Sequence, residues 1–116
     1  MMRGELWWAD YGVPFGSEPG YRRPVIILQN DFFNNSKMNT TVVVPLSTNL
    51  LLAEAPGNIF IDKEESRLSK DSVILLSQMG VVDKKRLVKK ISKISKHTIT
   101  IIEENIAFIL GIKLTQ

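Results

Sequence analysis

The sequence predicts a mainly β domain with short helices, of the α+β class: a small barrel-like sheet closed by one C-terminal helix. Three observations carry this. Short apolar runs recur at residues 25–28, 40–46 and 73–76, and each hands over to a polar cluster; runs of that length between turn signals read as strands. A clear helical pattern comes only once, at the end of the chain. A length of 116 residues supports one core rather than two, so 1–116 is read as a single domain.

Residues 3–9, RGELWWA, open with a strand signal, since leucine and tryptophan favour extended backbone. Trp7 and Trp8 would face opposite sides of that strand, one towards the core. The other either covers the rim of the sheet or offers a ring for base stacking. Gly16, Pro19 and Gly20 then mark an irregular loop over residues 10–21. Pro24 fixes its own φ and biases Arg23 towards extended backbone. Val25, Ile26, Ile27 and Leu28 leave no solvated side, which is the mark of a strand buried on both faces. Arg22 and Arg23 therefore stand where a loop meets a rigid strand. They are either a fixed cationic site or two surface arginines ahead of an edge.

Residues 29–35 read as a short helical turn, or as a loop packed down by Phe32 and Phe33. The strand 40–46 contains Pro45, which places its end or an edge there, and Ser47, Thr48 and Asn49 follow. Residues 50–57 read as a loop with an apolar anchor, stopped by Pro56-Gly57. Asn58 begins a short strand to residue 61, and 62–70 is a charged connection. The strand 73–76 ends at Ser77-Gln78. Leu87, Val88, Ile91 and Ile94 are spaced as on a helix, so the pattern over 83–94 predicts a short basic amphipathic helix. Ser95 can cap the final helix and Gly111 can stop it. Ile99, Ile102, Ile106, Ile109 and Leu110 then share a core face, with Glu103 and Glu104 in water. The count is five or six strands.

Composition narrows the function classes. Hydrophobic residues make up 44% and charged residues 23%, an ordinary balance for a soluble domain. With no cysteine, disulfides and thiolate chemistry are excluded. Arg3 and Glu5 interrupt any apolar leader, and no run approaches a membrane span, so the chain is read as soluble and cytoplasmic. The net charge of +3 is unevenly spread. Residues 1–62 carry four Lys/Arg against six Asp/Glu, 63–97 ten against four, and 98–116 one against two. A basic segment beside neutral ones suits a polyanion, nucleic acid first, or else a solvated lysine face.

The single histidine, His97, falls in the first turn of the last helix among lysines and is a poor catalyst. No acid/base pair of histidines, metal-ligand spacing, phosphate-binding glycine loop or nucleophile elbow occurs. RNA cleavage suits this inventory, because RNA carries its own nucleophile in the 2′-hydroxyl. A protein then needs only to align the attack and neutralise the phosphorane, which a fixed arginine beside a hydroxyl can do. DNA lacks that hydroxyl and would be inert.

Five stretches together resemble the MazF/PemK toxins, the metal-independent endoribonucleases of bacterial toxin–antitoxin pairs. They are RGELWWAD at 3–10, GSEPGYRRPVIILQND at 16–31, VVVPLSTNL at 42–50, APGN at 55–58 and DSVILLSQ at 71–78; VDKKRL at 82–87 also fits. The resemblance implies an SH3-like barrel of the MazF/PemK/CcdB type, a homodimer, no cofactor, a MazE-like antitoxin with an acidic extended segment, and mRNA as substrate. It implies that Arg23 is the phosphate-stabilising and acid–base residue and Ser47 the catalytic hydroxyl. The family usually has threonine at the latter position, and Thr48 is the other candidate. Glu18, Arg22, Asn30, Thr48 and Gln78 are implied RNA contacts, Asn30 and Gln78 at strand ends facing one groove. The resemblance also replaces the helix at 83–94 by a single turn and a strand. Two other trades remain open: a CcdB-like gyrase poison without nuclease activity, and a barrel that binds RNA and leaves it intact.

Overall fold

The computed structural model describes residues 1–12 and 21–113. Seven strands form one antiparallel sheet: β1 (Glu5–Asp10), β2 (Arg22–Ile27), β3 (Thr40–Ser47), β4 (Ile59–Ile61), β5 (Ser72–Ile74), β6 (Gly80–Asp83) and β7 (Leu87–Lys93). Two single-turn helices, α1 (Asp31–Asn34) and α2 (Lys63–Ser66), and the longer α3 (Lys96–Leu110) complete it. The strand order is β4-β5-β3-β2-β1-β7, and β6 joins β3 off that path. Strand β3 is the hinge of the sheet. Its first half, Thr40 to Val43, pairs with β6, while Leu46 and Ser47 pair with β5.

The runs expected to be buried on both faces are. Val25, Ile26 and Ile27 are fully buried because alternate residues enter two different cores. Ile26, Val44, Leu46 and Ile74 join one cluster, against which Ile99, Ile106 and Ile109 of α3 pack. Val25, Ile27 and Val43 join a second, smaller cluster with Ala9 and Val82, bordered by Trp7 and Tyr11. Helix α3 begins where expected: Ser95 Oγ accepts from Thr98 N at 3.2 Å. It ends at Gly111 with φ +69°, where Ile112 N donates back to Ala107 O at 2.8 Å.

The helix expected over 83–94 does not form. The chain makes a 3-10 turn at Lys84–Arg86 and then strand β7, as the family resemblance implies. The misleading spacing has a physical origin. Against β1, Lys90 pairs with Trp7 while Ser92 pairs with Leu6, and Leu87 pairs with Ala9 while Lys89 pairs with Trp8. Ile91 and Val88 are thus the extra residues of two β-bulges, and bulges three apart give a helix-like interval. Strand β6 was not anticipated, since only Val82 of its four residues is buried.

Smaller departures concern apolar residues that face outward. Phe32 and Phe33 do not pack the chain down. They are 76% and 44% exposed and stack edge to face on each other at 5.2 Å. Residues Leu50–Glu54 form a 3-10 turn in which Leu50 and Leu51 are exposed while Leu52 and Ala53 are half-buried. Leu110 also lies off the core face of α3. Within 62–70, α2 occupies part of the charged connection. No helix among the described residues is long and apolar enough to cross a membrane.

Candidate active site

Strand register builds the site. In the β2–β3 ladder Val25 faces Pro45 and Ile27 faces Val43. The ladder stops at Val25–Pro45; carried on by two residues, the same register would bring Arg23 opposite Ser47. Side chains two apart in a strand share a face, so both leave the strands on the face of Val25 and Pro45, opposite that of Trp8 and Leu46, and reach one cleft where the strands end. Here the apolar run of each strand ends, and the core gives way to a guanidinium and a hydroxyl. Both residues are half-buried, whereas Arg22 and Thr48 are exposed. Arg23 Nη2 donates a long hydrogen bond to Leu46 O at 3.4 Å. Ser47 Oγ accepts from Asn49 N at 3.1 Å, leaving its own proton available to donate.

Arg22, Arg23, Ser47 and Thr48 line one cleft of about 420 Å³, in the size range of small-ligand pockets. Trp8, Leu46, Leu68 and Ile91 give it an apolar lining, and Arg67, Lys70 and Ser72 supply further polar groups. Among the described residues four cations line the cleft and no carboxylate does. Such a cleft attracts an anion that also has an apolar part, such as a nucleotide.

A family model described as the PemK-like, MazF-like toxin of type II toxin–antitoxin systems matches residues 2–110. The chain belongs to this toxin family. Endoribonuclease MazF of Staphylococcus epidermidis is 36% identical to it over 110 residues, covering 95% of this chain and 91% of the relative. Endoribonuclease MazF6 of Mycobacterium tuberculosis is 36% identical over 92 residues, covering 79% and 81%. Among solved structures, the toxin MazF-mt6 of Mycobacterium tuberculosis superposes with a TM-score of 0.78 at 15% identity, covering 95% of this chain and 99% of that one. A MazE-MazF structure from Deinococcus radiodurans gives 0.76 at 18% identity, with 97% of each chain covered. At those identities the structures attest the fold.

The remaining candidate residues of the toxin scatter. Gln78 lines a neighbouring depression of about 280 Å³, together with Tyr11, Pro45 and Val81. Asn30 is not at the cleft. It follows the far end of β2, roughly 20 Å along the strand from Arg23, and its Oδ1 accepts from Phe32 N at 2.9 Å to cap α1. Asn30 therefore does not join Arg23 at the cleft, and Gln78 does not line it either. Glu18 lies outside the described residues. His97 is exposed on the first turn of α3 and does not line the cleft.

The basic segment divides between tasks. Lys90 Nζ pairs with Glu5 Oε2 at 2.8 Å, and Lys84 Nζ donates to Asn34 O at 2.8 Å. Lys89 and Lys93 are exposed along β7, and Arg67 and Lys70 reach the cleft. Tyr11 was missed in the sequence because it reads as loop. Burial pushes its hydroxyl pKa up, against the opposing pull of Arg23 and Arg86, so it keeps its proton at neutral pH and can donate. Of the two tryptophans, the sheet turns Trp8 to the cleft while Trp7 borders the second core.

Proposed function

We propose that this toxin is an endoribonuclease that cleaves single-stranded mRNA without a metal ion. The observation that supports the reading is that Arg23 and Ser47, at the ends of β2 and β3, line one cationic cleft. The ribose 2′-hydroxyl attacks the adjacent phosphorus, the bond to the 5′-oxygen breaks, and the products are a 2′,3′-cyclic phosphate and a 5′-hydroxyl. Arg23 neutralises the charge that grows on the phosphorane and assists proton transfer to the leaving oxygen. Ser47 hydrogen-bonds the same phosphate through its hydroxyl and keeps its proton; the proton shed by the 2′-oxygen is balanced by the one the 5′-oxygen gains. Arg22 and Thr48 hold the flanking backbone, and Glu18 and Gln78 contribute to the substrate surface.

The toxin works in the cytoplasm as a homodimer, and a MazE-like antitoxin restrains it by laying an acidic extended segment over the cationic cleft. The curated relatives are named endoribonucleases, and one structural neighbour is described as an endoribonuclease in complex with its cognate antitoxin. Incubating the purified protein with a long single-stranded RNA in EDTA tests the chemistry. Discrete cuts with cyclic-phosphate and 5′-hydroxyl ends are expected. RNA left intact by a protein that still arrests growth would refute the reading and turn attention to gyrase.

A further inference from the structure

Arg23 and Ser47 form one wall of the cleft. The other is the turn from Arg67 to Lys70, which leaves α2 and enters β5. Val73 of β5 pairs with Ser47, so this turn runs in beside the proposed catalytic hydroxyl. Its backbone is well fixed. Arg67 N donates to Lys63 O at 2.9 Å, Leu68 N donates to Ser66 Oγ at 3.1 Å, and Ser92 Oγ donates to Ser66 O at 2.6 Å. Leu68 packs on the larger core.

Arg67 caps α2 with φ +67°. That is the left-handed region, where a side chain is strained and glycine is favoured. Helix α3 ends in the same conformation and uses Gly111. The fold makes no visible use of the Arg67 guanidinium: the ion pairs among the described residues are Arg3–Glu103 and Lys90–Glu5. Its side chain is exposed at a cleft that already holds Arg22, Arg23 and Lys70. Four like charges around one cleft exceed what a single phosphate requires, and they repel one another until anions fill the space.

We propose that Arg67 is a phosphate-binding residue: it holds a backbone phosphate next to the one presented to Arg23, so the cleft grips at least two successive phosphates of a single strand. The identity of the strand as RNA substrate rests on the endoribonuclease reading; the phosphate contact does not. A fixed turn suits this, because its backbone needs no ordering on binding and only the side-chain rotamers remain to be fixed.

The test uses Arg67→Gly, which relieves the backbone strain and should melt at or above the wild-type temperature. Two substrates separate the ideas: a single-stranded RNA in EDTA for kinetics, and a single-stranded DNA of the same sequence, which cannot be cleaved, for binding across a salt series. With Arg67→Gly the slope of log affinity against log salt should become shallower by about 0.7, the share of one phosphate on a single strand. KM on RNA should rise roughly tenfold with kcat within about twofold, and Arg67→Lys should restore the slope. A folded Arg67→Gly protein with the wild-type slope and KM overturns the proposal, as does wild-type binding that ignores salt. RNA left intact by the wild type, with the slope difference still present on DNA, keeps Arg67 as a phosphate contact and removes the endoribonuclease reading instead.

Discussion

The two ends of β2 carry polar clusters of similar size and opposite character. At the far end, Asn34 is buried and its amide makes four side-chain hydrogen bonds: it donates to Gln29 O and Asp31 Oδ1, and accepts from Gln29 Nε2 and Thr41 Oγ1. Arg3 joins the same end through its backbone N–H to Asp31 and its Nε to Leu28 O. Donors there meet acceptors, and among the described residues no buried side-chain nitrogen or oxygen lacks a partner. At the near end, four cations line a cleft without a lining carboxylate among the described residues. Saturated polar groups hold a fold together, whereas a concentration of one charge sign waits for a ligand. Residue type alone does not separate the two, since arginine and hydroxyl side chains occur at both.

Substitutions at the two ends should therefore fail in different ways. The largest effect is expected for Arg23→Ala. Loss of one donor to a developing phosphorane should lower kcat by about 100- to 1,000-fold, with the melting temperature within a few degrees of wild type; single-turnover RNA cleavage and a thermal melt read both. Asn34→Ala should do the reverse. Removing a buried amide that leaves several partners unsatisfied should cost about 3 kcal/mol, a drop in Tm of on the order of 10 °C, while the folded fraction cleaves RNA at the wild-type rate. Equal losses of activity and stability in either variant would erase the contrast.

Glu5 sharpens the saturated side by pH. Burial pushes its carboxyl pKa up, but hydrogen bonds from Lys90, Trp7 and Met2 outweigh this and hold it at about 2, against an ordinary value of 4.5. A depressed pKa stabilises the folded state above the unfolded value, and the contribution disappears as pH falls from about 4.5 to about 2. It amounts to about 3 kcal/mol at most. Denaturant melts of wild type and Glu5→Gln should differ at pH 7 and converge as pH falls through that window. The smallest effect is expected for Asn30→Ala. Loss of the α1 cap should cost about 1 kcal/mol and leave KM for RNA unchanged; a raised KM would show that the far end of β2 also meets the strand.

Much of the fold is legible along the chain because short-range chemistry decides it. The burial of residues 25–28 on both faces, the Ser95 cap and the Gly111 stop each follow from residues a few positions apart. The helix read into 83–94 shows the limit. Two bulges against β1 imitate helical spacing, and a bulge exists only relative to a partner strand. Asn30 and Arg67 show the same limit at the site. Asn30 sits in a motif-bearing stretch with Arg23, yet the length of β2 carries it away. Arg67 lies in a charged connection with no signal of its own, and sheet pairing brings it to the cleft that Ser47 lines.

The sequence by itself determined the β-rich class, the closing helix and the toxin family, because apolar periodicity, caps and family motifs are local in the chain. Only the tertiary structure decided which polar residues face one another. Cross-strand register joined positions 23, 47, 67 and 70 into one cationic cleft and tied Asn34, Asp31 and Thr41 into a closed network. The reason is that a charge acquires its role from what surrounds it: an arginine near a carboxylate or carbonyl braces the fold, and one among other cations draws an anion.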